Sequence, residues 1–305
     1  GLQPGDLVAA VVRRPCRDPR CVNCRNGRSD FCQTGAFTER GIKGAHGFLT
    51  EFVKDDERYF VKLPPRARSF GVLTEPQSIV EKVWDEIRRI QQRLIWQPRT
   101  ALVLGSGPLG MLAAITCRCL GLDVRVWSLS PADGPDARWL EAIGAHYREA
   151  ESSAGAFAAY VGTLPDRPDV IWECTGYSPL AFEAMEALAP NGVLALLGVS
   201  PGERRHELDT NRLNMELVLN NKCVVGSVNA ARSHLETAVH RLLQMEQRFP
   251  GALRRMISER FTLEQVPAID FERITLKAVV DLIPPDRWDE WIRRDDEENA
   301  CSFPV

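Results

Sequence analysis

RTALVLGSGPLGMLAAITCRCLGLDVRVWSLS, residues 99–130, decides the fold. Ala101 to Leu104 is a short apolar run of the kind that forms a buried parallel strand. It feeds directly into Gly105-Ser106-Gly107-Pro108-Leu109-Gly110. An apolar stretch from Leu109 to about Leu120 reads as a helix, Gly121 ends it, and Val124–Trp127 reads as a second strand. Strand, glycine turn, helix and strand in this order and length form a dinucleotide-binding fingerprint. Gly105 permits the tight turn, Gly107 leaves the backbone bare for a pyrophosphate, and Gly110 lets helix and strand pack closely. The helix N-terminus then offers free N–H groups and a positive dipole end to the phosphates.

The alternation continues beyond the fingerprint. Asp136–Ile143 reads as a helix, Asp169–Glu173 as a strand, Ala181–Leu188 as a helix and Val193–Leu197 as a strand. Met215–Leu219 ends another helix, and Cys223–Gly226 is a strand. Strands alternating with helices imply an α/β fold with a doubly wound parallel sheet. Cofactor contacts are then expected at strand C-terminal ends: the glycine turn, Thr175-Gly176, Gly198-Val199 and Val228-Asn229. At the end of the second strand an acidic residue usually holds the ribose hydroxyls of NAD; here Ser128 occupies that place. Ser128 and Ser130 admit NADP or NAD. The missing carboxylate tilts the reading toward NADP, although no Arg follows immediately to grip a phosphate.

Upstream, Leu7–Val12 is a strand, followed by RRPCRDPRCVNCRNGRSDFC. Cys16, Cys21, Cys24 and Cys32 are spaced so that four thiolates wrap one tetrahedral, closed and hence structural zinc. Phe48–Val53 and Tyr59–Leu63 read as a β pair after a glycine-punctuated loop that carries Glu39 and His46. Ser78 and Glu81 form a capping box that starts a helix with apolar positions Ile79, Val83, Ile87, Ile90 and Leu94. Its charged face carries Lys82, Asp85 and Arg88, and Glu75 precedes the cap as a metal ligand or as a helix-start charge. Residues 231–247 read as a helix, Phe261–Val266 and Ala278–Ile283 as short strands, and Pro284–Val305 as a charged tail with a surface helix through Trp288–Ile292.

Bulk properties narrow the class. The chain has 305 residues, a net charge of −3, 44% apolar and 26% charged residues, as expected of a globular protein of about two domains. The charge argues against nucleic acid as a partner. No run of 18 apolar residues and no signal-peptide pattern is present, so no membrane partner is expected. Nine cysteines, four of them clustered, suit a reducing compartment, and the expected location is cytoplasmic. The chain opens on Gly1 with a turn and a strand that has no partner before it, so an N-terminal portion is expected to be missing.

Cysteine cluster, β pair, carboxylate before a capped helix, GSGPLG, ECTG and GSVNA follow one another in an order that resembles the zinc-containing medium-chain dehydrogenase/reductase superfamily. Within it the chain is most similar to microbial glucose dehydrogenases, through ERGIKGAHGF, LTEPQSIVEK, LAPNGVLALLGVS and NNKCVVGSVNA. The resemblance implies a Rossmann sheet inserted in a mostly β, GroES-like catalytic domain. Expected boundaries are 1–77 for the first catalytic part with its zinc lobe, 78–229 for the NAD(P)-binding domain, 230–283 for the return segment and 284–305 for the tail. It implies structural zinc on Cys16, Cys21, Cys24 and Cys32, although the first cysteine gap is two residues longer than the family's. It makes Glu75 a ligand of a catalytic zinc whose other ligands precede residue 1, and Glu39 and Asn229 contacts of a sugar substrate. A family His near the NNK segment has no counterpart; Leu219 and Asn220 stand there. The implied reaction is hydride transfer from C1 of a glucose-like aldose to NADP or NAD, in a homo-oligomer, dimer or tetramer. Another polyol, alcohol or threonine dehydrogenase of the same fold, and a truncated protein that binds dinucleotide and zinc without turnover, are the alternatives.

Overall fold

The computed structural model describes residues 1–282. The expected tail over 284–305, its helix through Trp288–Ile292, and Ile283 lie outside the described residues. In chain order the elements are β1 (Leu7–Ala10), β2 (Arg13–Arg14), α1 (Val22–Arg25), β3 (Thr38–Arg40), β4 (Gly44–Ala45), β5 (Phe60–Leu63) and α2 (Thr74–Gln91). Then come β6 (Thr100–Leu104), α3 (Pro108–Cys119), β7 (Asp123–Ser128), α4 (Pro135–Ala142), β8 (His146–Glu149), α5 (Ala156–Gly162), β9 (Val170–Glu173) and α6 (Ser178–Ala187). The remainder is β10 (Val193–Leu196), α7 (Thr210–Leu219), β11 (Cys223–Gly226), α8 (Arg232–Arg248), α9 (Ala252–Met256), β12 (Ile257–Thr262) and β13 (Lys277–Asp281).

The chain divides into two compact units. One comprises Ile79–Val228 and Gln247–Ala252. Its sheet has six parallel strands in the order β11-β10-β9-β6-β7-β8. Numbered within the sheet, this is the doubly wound order 3-2-1-4-5-6, which reverses between β6 and β9. The central strands are largely apolar, as expected where helices cover both faces: Leu102, Leu104, Ile171 and Leu194 share one cluster with Phe157, Leu180, Ala184 and Leu188. Burying each such side chain contributes about 1.5–3 kcal/mol. The edge strand β8 is mostly exposed, and its polar sequence hides it from pattern reading; it and α5 are additions to the expected elements.

The other unit comprises Gly1–Ser78, Asn229–Glu246 and the described residues from Leu253 onward. It holds an antiparallel pair β1-β5, a three-stranded sheet β2-β3-β4 and a parallel pair β12-β13. Two expectations change here. Phe48–Val53 is not a strand: Phe52 is 88% exposed, and the segment is held instead by Arg40, which stacks on Phe48 and donates to the carbonyls of His46 and Lys54. The partner of β5 is therefore β1, and Leu7 pairs with Leu63. β12 begins four residues before the expected Phe261, at Ile257.

The helix expected from Ser78 begins at Thr74 and ends at Gln91, so Leu94 lies beyond it. Pro76 falls in the first turn, where no N–H is required of it. Ser78 Oγ donates to the Glu75 carbonyl at 2.5 Å, a bond back along the helix rather than a cap. Lys82, expected on the charged face, is 1% exposed, and its Nζ donates to the Val228 carbonyl at 2.9 Å. Trp84 and Trp96 pack against each other, ring centroids 6.3 Å apart.

Candidate functional site

The glycine turn follows β6 at the point where strand order reverses, where crevices in such sheets bind ligands. A cavity of about 800 Å³ opens there, lined by Gly105–Gly107, Ser128, Ser130 and Thr175 among others. Gly107 has nothing within 4 Å of where a Cβ would stand, so its backbone faces open space. Gly110 is the opposite case: a Cβ there would sit 2.1 Å from the Gly105 carbonyl oxygen. Pro108 and Leu109 form the first turn of α3, with Pro108 at the position that needs no N–H partner. These features fit a dinucleotide: bare backbone and a helix N-terminus for the pyrophosphate, and a cavity large enough for the rest.

A second turn follows β9. Glu173, 1% exposed, accepts the N–H groups of Thr175 at 2.7 Å and Gly176 at 3.0 Å, and the Thr175 hydroxyl. The Gly198 turn after β10 touches it: a Cβ on Gly198 would lie 2.1 Å from Gly176 N, and one on Gly176 would lie 2.6 Å from the Val199 carbonyl oxygen. Thr175, Gly176, Gly198 and Val199 therefore come together at the C-terminal ends of neighbouring strands, and Val199 is 79% exposed. Val228 follows β11, its carbonyl fixed by Lys82.

Ser106, Ser128 and Ser130 share hydrogen bonds: Ser106 Oγ lies 2.9 Å from Ser128 Oγ and 3.1 Å from Ser130 Oγ. Ser106 Oγ also donates to the Asp136 carboxylate, which is 7% exposed. Tyr147 Oη donates to the Ser130 carbonyl at 2.7 Å. Burial, and then the Asp136 charge, push the Tyr147 pKa upward.

In the other unit the four cysteine sulfurs lie within 4.8 Å of one another, with Cys21 Sγ 4.0 Å from Cys32 Sγ. Tetrahedral zinc with Zn–S near 2.3 Å needs sulfurs about 3.8 Å apart, so the four fit one ion, Cys16 included. Burial pushes the Cys24 thiol up to about 12. Cys32 is also raised by burial, but the Thr34 hydroxyl and backbone N–H and the neighbouring thiols bring it down to about 6. Among the described residues no other group of three or more His, Cys, Asp or Glu side chains comes within metal-ligating distance.

Glu39 and Asn229 meet: Asn229 Nδ2 donates to Glu39 Oε1 at 2.6 Å. Arg13 Nε donates to the same oxygen at 3.0 Å. Arg13 also stacks on Phe37 and donates to the carbonyls of Ser29 and Asp30. Arg13 Nη2 also lies 3.0 Å from Oε1, so all three donor nitrogens converge on that oxygen and Oε2 is left to other partners. Asn229 has φ 62°, a left-handed conformation that Asn tolerates, and its Oδ1 takes the Ala230 N–H. Glu75 is outside this network, in the first turn of α2. Its carboxyl is reachable by solvent but ringed by protein, and desolvation raises its pKa against the pull of Lys277. No second or third ligand joins Glu75 among the described residues, so they do not assemble a second metal site.

Sequence reading missed Arg13, Lys82, Asp136, Tyr147 and Glu173 as organisers of these sites. Only Glu173 carried a signal, as the first residue of ECTG.

The doubly wound sheet, glycine turn and four-cysteine lobe define a zinc-containing medium-chain dehydrogenase. The family profile described as Glucose dehydrogenase C-terminus matches residues 68–282, and the chain belongs to that family. Glucose 1-dehydrogenase of Methanocella arvoryzae is 41% identical over 266 residues, covering 87% of this chain and 73% of the relative. Glucose 1-dehydrogenase of Metallosphaera sedula is 36% identical over 289 residues, covering 92% and 77%. The structure of Haloferax mediterranei glucose dehydrogenase in complex with NADP, Zn and gluconolactone superposes with a TM-score of 0.83 at 30% identity, covering 93% of this chain and 78% of that one.

Proposed function

We propose that this chain is a zinc-dependent dehydrogenase that transfers hydride from C1 of a glucose-like aldose to NAD(P), giving the lactone. The observation that carries the sugar assignment is the Glu39 carboxylate, held through one oxygen by Arg13 and Asn229 with the other oxygen left for a sugar hydroxyl. Relatives with 41% and 36% identity bear the name glucose 1-dehydrogenase, and the Haloferax structure holds the lactone. Residues 78–229 serve as the nucleotide domain, and 1–77 with 230–283 as the catalytic domain.

The chain's own residues have distinct tasks. Gly105, Ser106, Gly107, Pro108, Leu109 and Gly110 cradle the pyrophosphate with backbone N–H groups. Ser128 and Ser130 face the adenosine ribose. Thr175, Gly176, Gly198, Val199, Val228 and Asn229 flank the rest of the dinucleotide. Glu39 and Asn229 fix the sugar by hydrogen bonds whose geometry is set before substrate arrives. Cys16, Cys21, Cys24 and Cys32 hold structural zinc, and Glu75 is one carboxylate ligand of the catalytic zinc. The nicotinamide, when bound, supplies the hydride acceptor. No helix among the described residues is long and apolar enough to cross a membrane, and we place the enzyme in the cytoplasm as a homo-oligomer, dimer or tetramer.

The test is a panel of initial rates with glucose, galactose, xylose, a polyol, an alcohol and threonine, each with NAD and NADP, in zinc-loaded protein. Aldose oxidation with lactone as product is expected. Preference for a polyol, alcohol or threonine refutes the sugar assignment. Nucleotide binding without turnover on any of them supports the non-catalytic alternative.

A further inference from the structure

Glu39 is held by a side chain that the four-cysteine lobe holds in turn. Arg13 and Glu39 are cross-strand partners in the antiparallel pair β2-β3, so the backbone already sets their side chains on one face. What the backbone does not set is the angle of the carboxylate. Arg13 supplies that, with Nε and Nη2 each 3.0 Å from Oε1. The far side of the same buried guanidinium faces the lobe. Nη1 donates to the Asp30 carbonyl at 3.1 Å and the Ser29 carbonyl at 3.4 Å, and Cζ stands 3.7 Å from the centre of the Phe37 ring. Ser29–Phe31 is a single helical turn that delivers Cys32 to the cluster. The Cys32 N–H donates to the Ser29 carbonyl at 3.1 Å, the oxygen that Arg13 also uses. One backbone oxygen therefore lies between a zinc ligand and the arginine that aims Glu39.

We propose that Arg13 is a positioning residue for sugar binding and that the four-cysteine lobe acts through it: the lobe holding zinc aims Glu39, and the lobe without zinc does not. The proposal rests on the reading of Glu39 as a sugar contact. A closed set of four thiolates leaves no position for a substrate, so the lobe has no direct part in the reaction. Its influence is mechanical. With zinc bound, Cys24 and Cys32 fix both ends of the stretch that contains Ser29 and Asp30. Without it, four sulfurs within 4.8 Å of one another lose the charge that holds them together, and the turn is free to shift. A buried guanidinium does not stay where its carbonyl acceptors have left, because each unpaired N–H there is costly. Arg13 then turns, and Oε1 keeps the Asn229 amide alone. The signature is a sugar affinity that follows zinc occupancy of the lobe, while NADH affinity, which rests on the glycine turn, stays.

The test is a mutant cycle on the full zinc-loaded chain: wild type, R13K, C32S and the double variant. Zinc content is read by metal analysis, glucose affinity without turnover by ligand-observed NMR, and NADH affinity by nucleotide fluorescence. R13K keeps a positive charge but loses the fork that spans the carboxylate and the carbonyls. It is expected to keep its zinc and its NADH affinity and to bind glucose about tenfold more weakly. C32S is expected to lose about one zinc per chain and to weaken glucose by a similar factor. Because both changes act on one element, the double variant is expected to lose about tenfold, not the roughly hundredfold of independent effects. A loss of about hundredfold overturns the proposal. So does C32S that has lost its zinc and binds glucose like wild type. R13K that sheds zinc and weakens NADH together with glucose marks a merely structural role and also overturns it. Should C32S keep its zinc or fail to fold, R13K decides alone: unchanged glucose affinity in zinc-retaining protein overturns the proposal. A wild-type chain that binds NADH but not glucose refutes the reading of Glu39 as a sugar contact, and this inference with it.

Discussion

Gly110→Ala separates packing from propensity by sign. Gly110 lies in the helical region of α3, outside the positive-φ glycines, so nothing in the backbone conformation forbids Ala. On propensity alone the substitution stabilises a helix by about 1 kcal/mol. The structure reverses this. The new Cβ would stand 2.1 Å from the Gly105 carbonyl oxygen, 3.0 Å from its carbon and 3.4 Å from Val103 Cγ1. The offending atom is backbone, in the turn that must face the pyrophosphate, so helix and strand have to separate by about an ångström in a close-packed core. Overpacking of this kind costs about 3 kcal/mol, leaving a net loss of about 2 kcal/mol. That corresponds to a fall in Tm of about 4–8 °C for a unit of this size. Because the turn moves, NADH affinity is expected to fall at least about tenfold. The control is Gly162→Ala at the end of α5, where a Cβ meets nothing within 4 Å; it is expected to be neutral or slightly stabilising. Thermal unfolding by circular dichroism and NADH fluorescence titration read the two effects. G110A protein as stable as wild type, with unchanged NADH affinity, would show that the close approach of α3 to β6 is not what the glycine serves.

Asp55 accepts from Arg14 and Arg40, and although burial raises its pKa, these two guanidinium groups bring it down to about 2. Since the folded pKa lies below the ordinary aspartate value of 3.8, its stabilisation of about 2 kcal/mol is nearly complete above pH 4 and lost as pH falls toward 2. Chemical denaturation at pH 7, 4 and 3 should show D55N less stable than wild type by at least that amount at pH 7, with the gap closing at low pH; a pH-independent gap contradicts the assignment. Chelation is expected to release about one zinc from the four-cysteine lobe and lower the unfolding midpoint, and C21S to abolish that release, both read by metal analysis. E39Q keeps the Asn229 contact but loses the charge that pairs with Arg13, so KM for the sugar should rise at least about tenfold with NADH affinity unchanged. A KM shift no larger than that of an exposed control such as E272Q argues against Glu39 as a sugar contact.

Much of the nucleotide-binding unit was legible because its signals are local. β11 was read residue for residue at Cys223–Gly226, and the glycine turn declared β6 and α3 together. What escaped depends on residues far apart in sequence. Lys82 looks like a solvated lysine until a carbonyl 146 positions away accepts its ammonium. The strand partner of Phe60 is Ala10, not the apolar Phe48–Val53 that lies nearer in the chain. Asp136 follows a loop whose length sets where its carboxylate falls, and no spacing rule reports that it turns back onto Ser106. Ser78 and Glu81 match a capping box, yet the preceding turn at Gly71–Leu73 runs straight into α2, so the helix starts four residues earlier.

Arg13 links two features that were described apart. Its guanidinium grips Glu39 with one edge and the carbonyls of Ser29 and Asp30 with another. Those two carbonyls belong to the stretch between Cys24 and Cys32, so the length of that stretch is fixed by where Glu39 must stand, not only by the metal. The Asp30 side chain is restrained separately: it is buried and paired with Arg28 at 3.0 Å. Among the described residues, the stretch between Cys16 and Cys21 makes no such contact with Arg13. One arginine thus couples the shape of the Cys24–Cys32 side of the zinc lobe to the position of the Glu39 carboxylate.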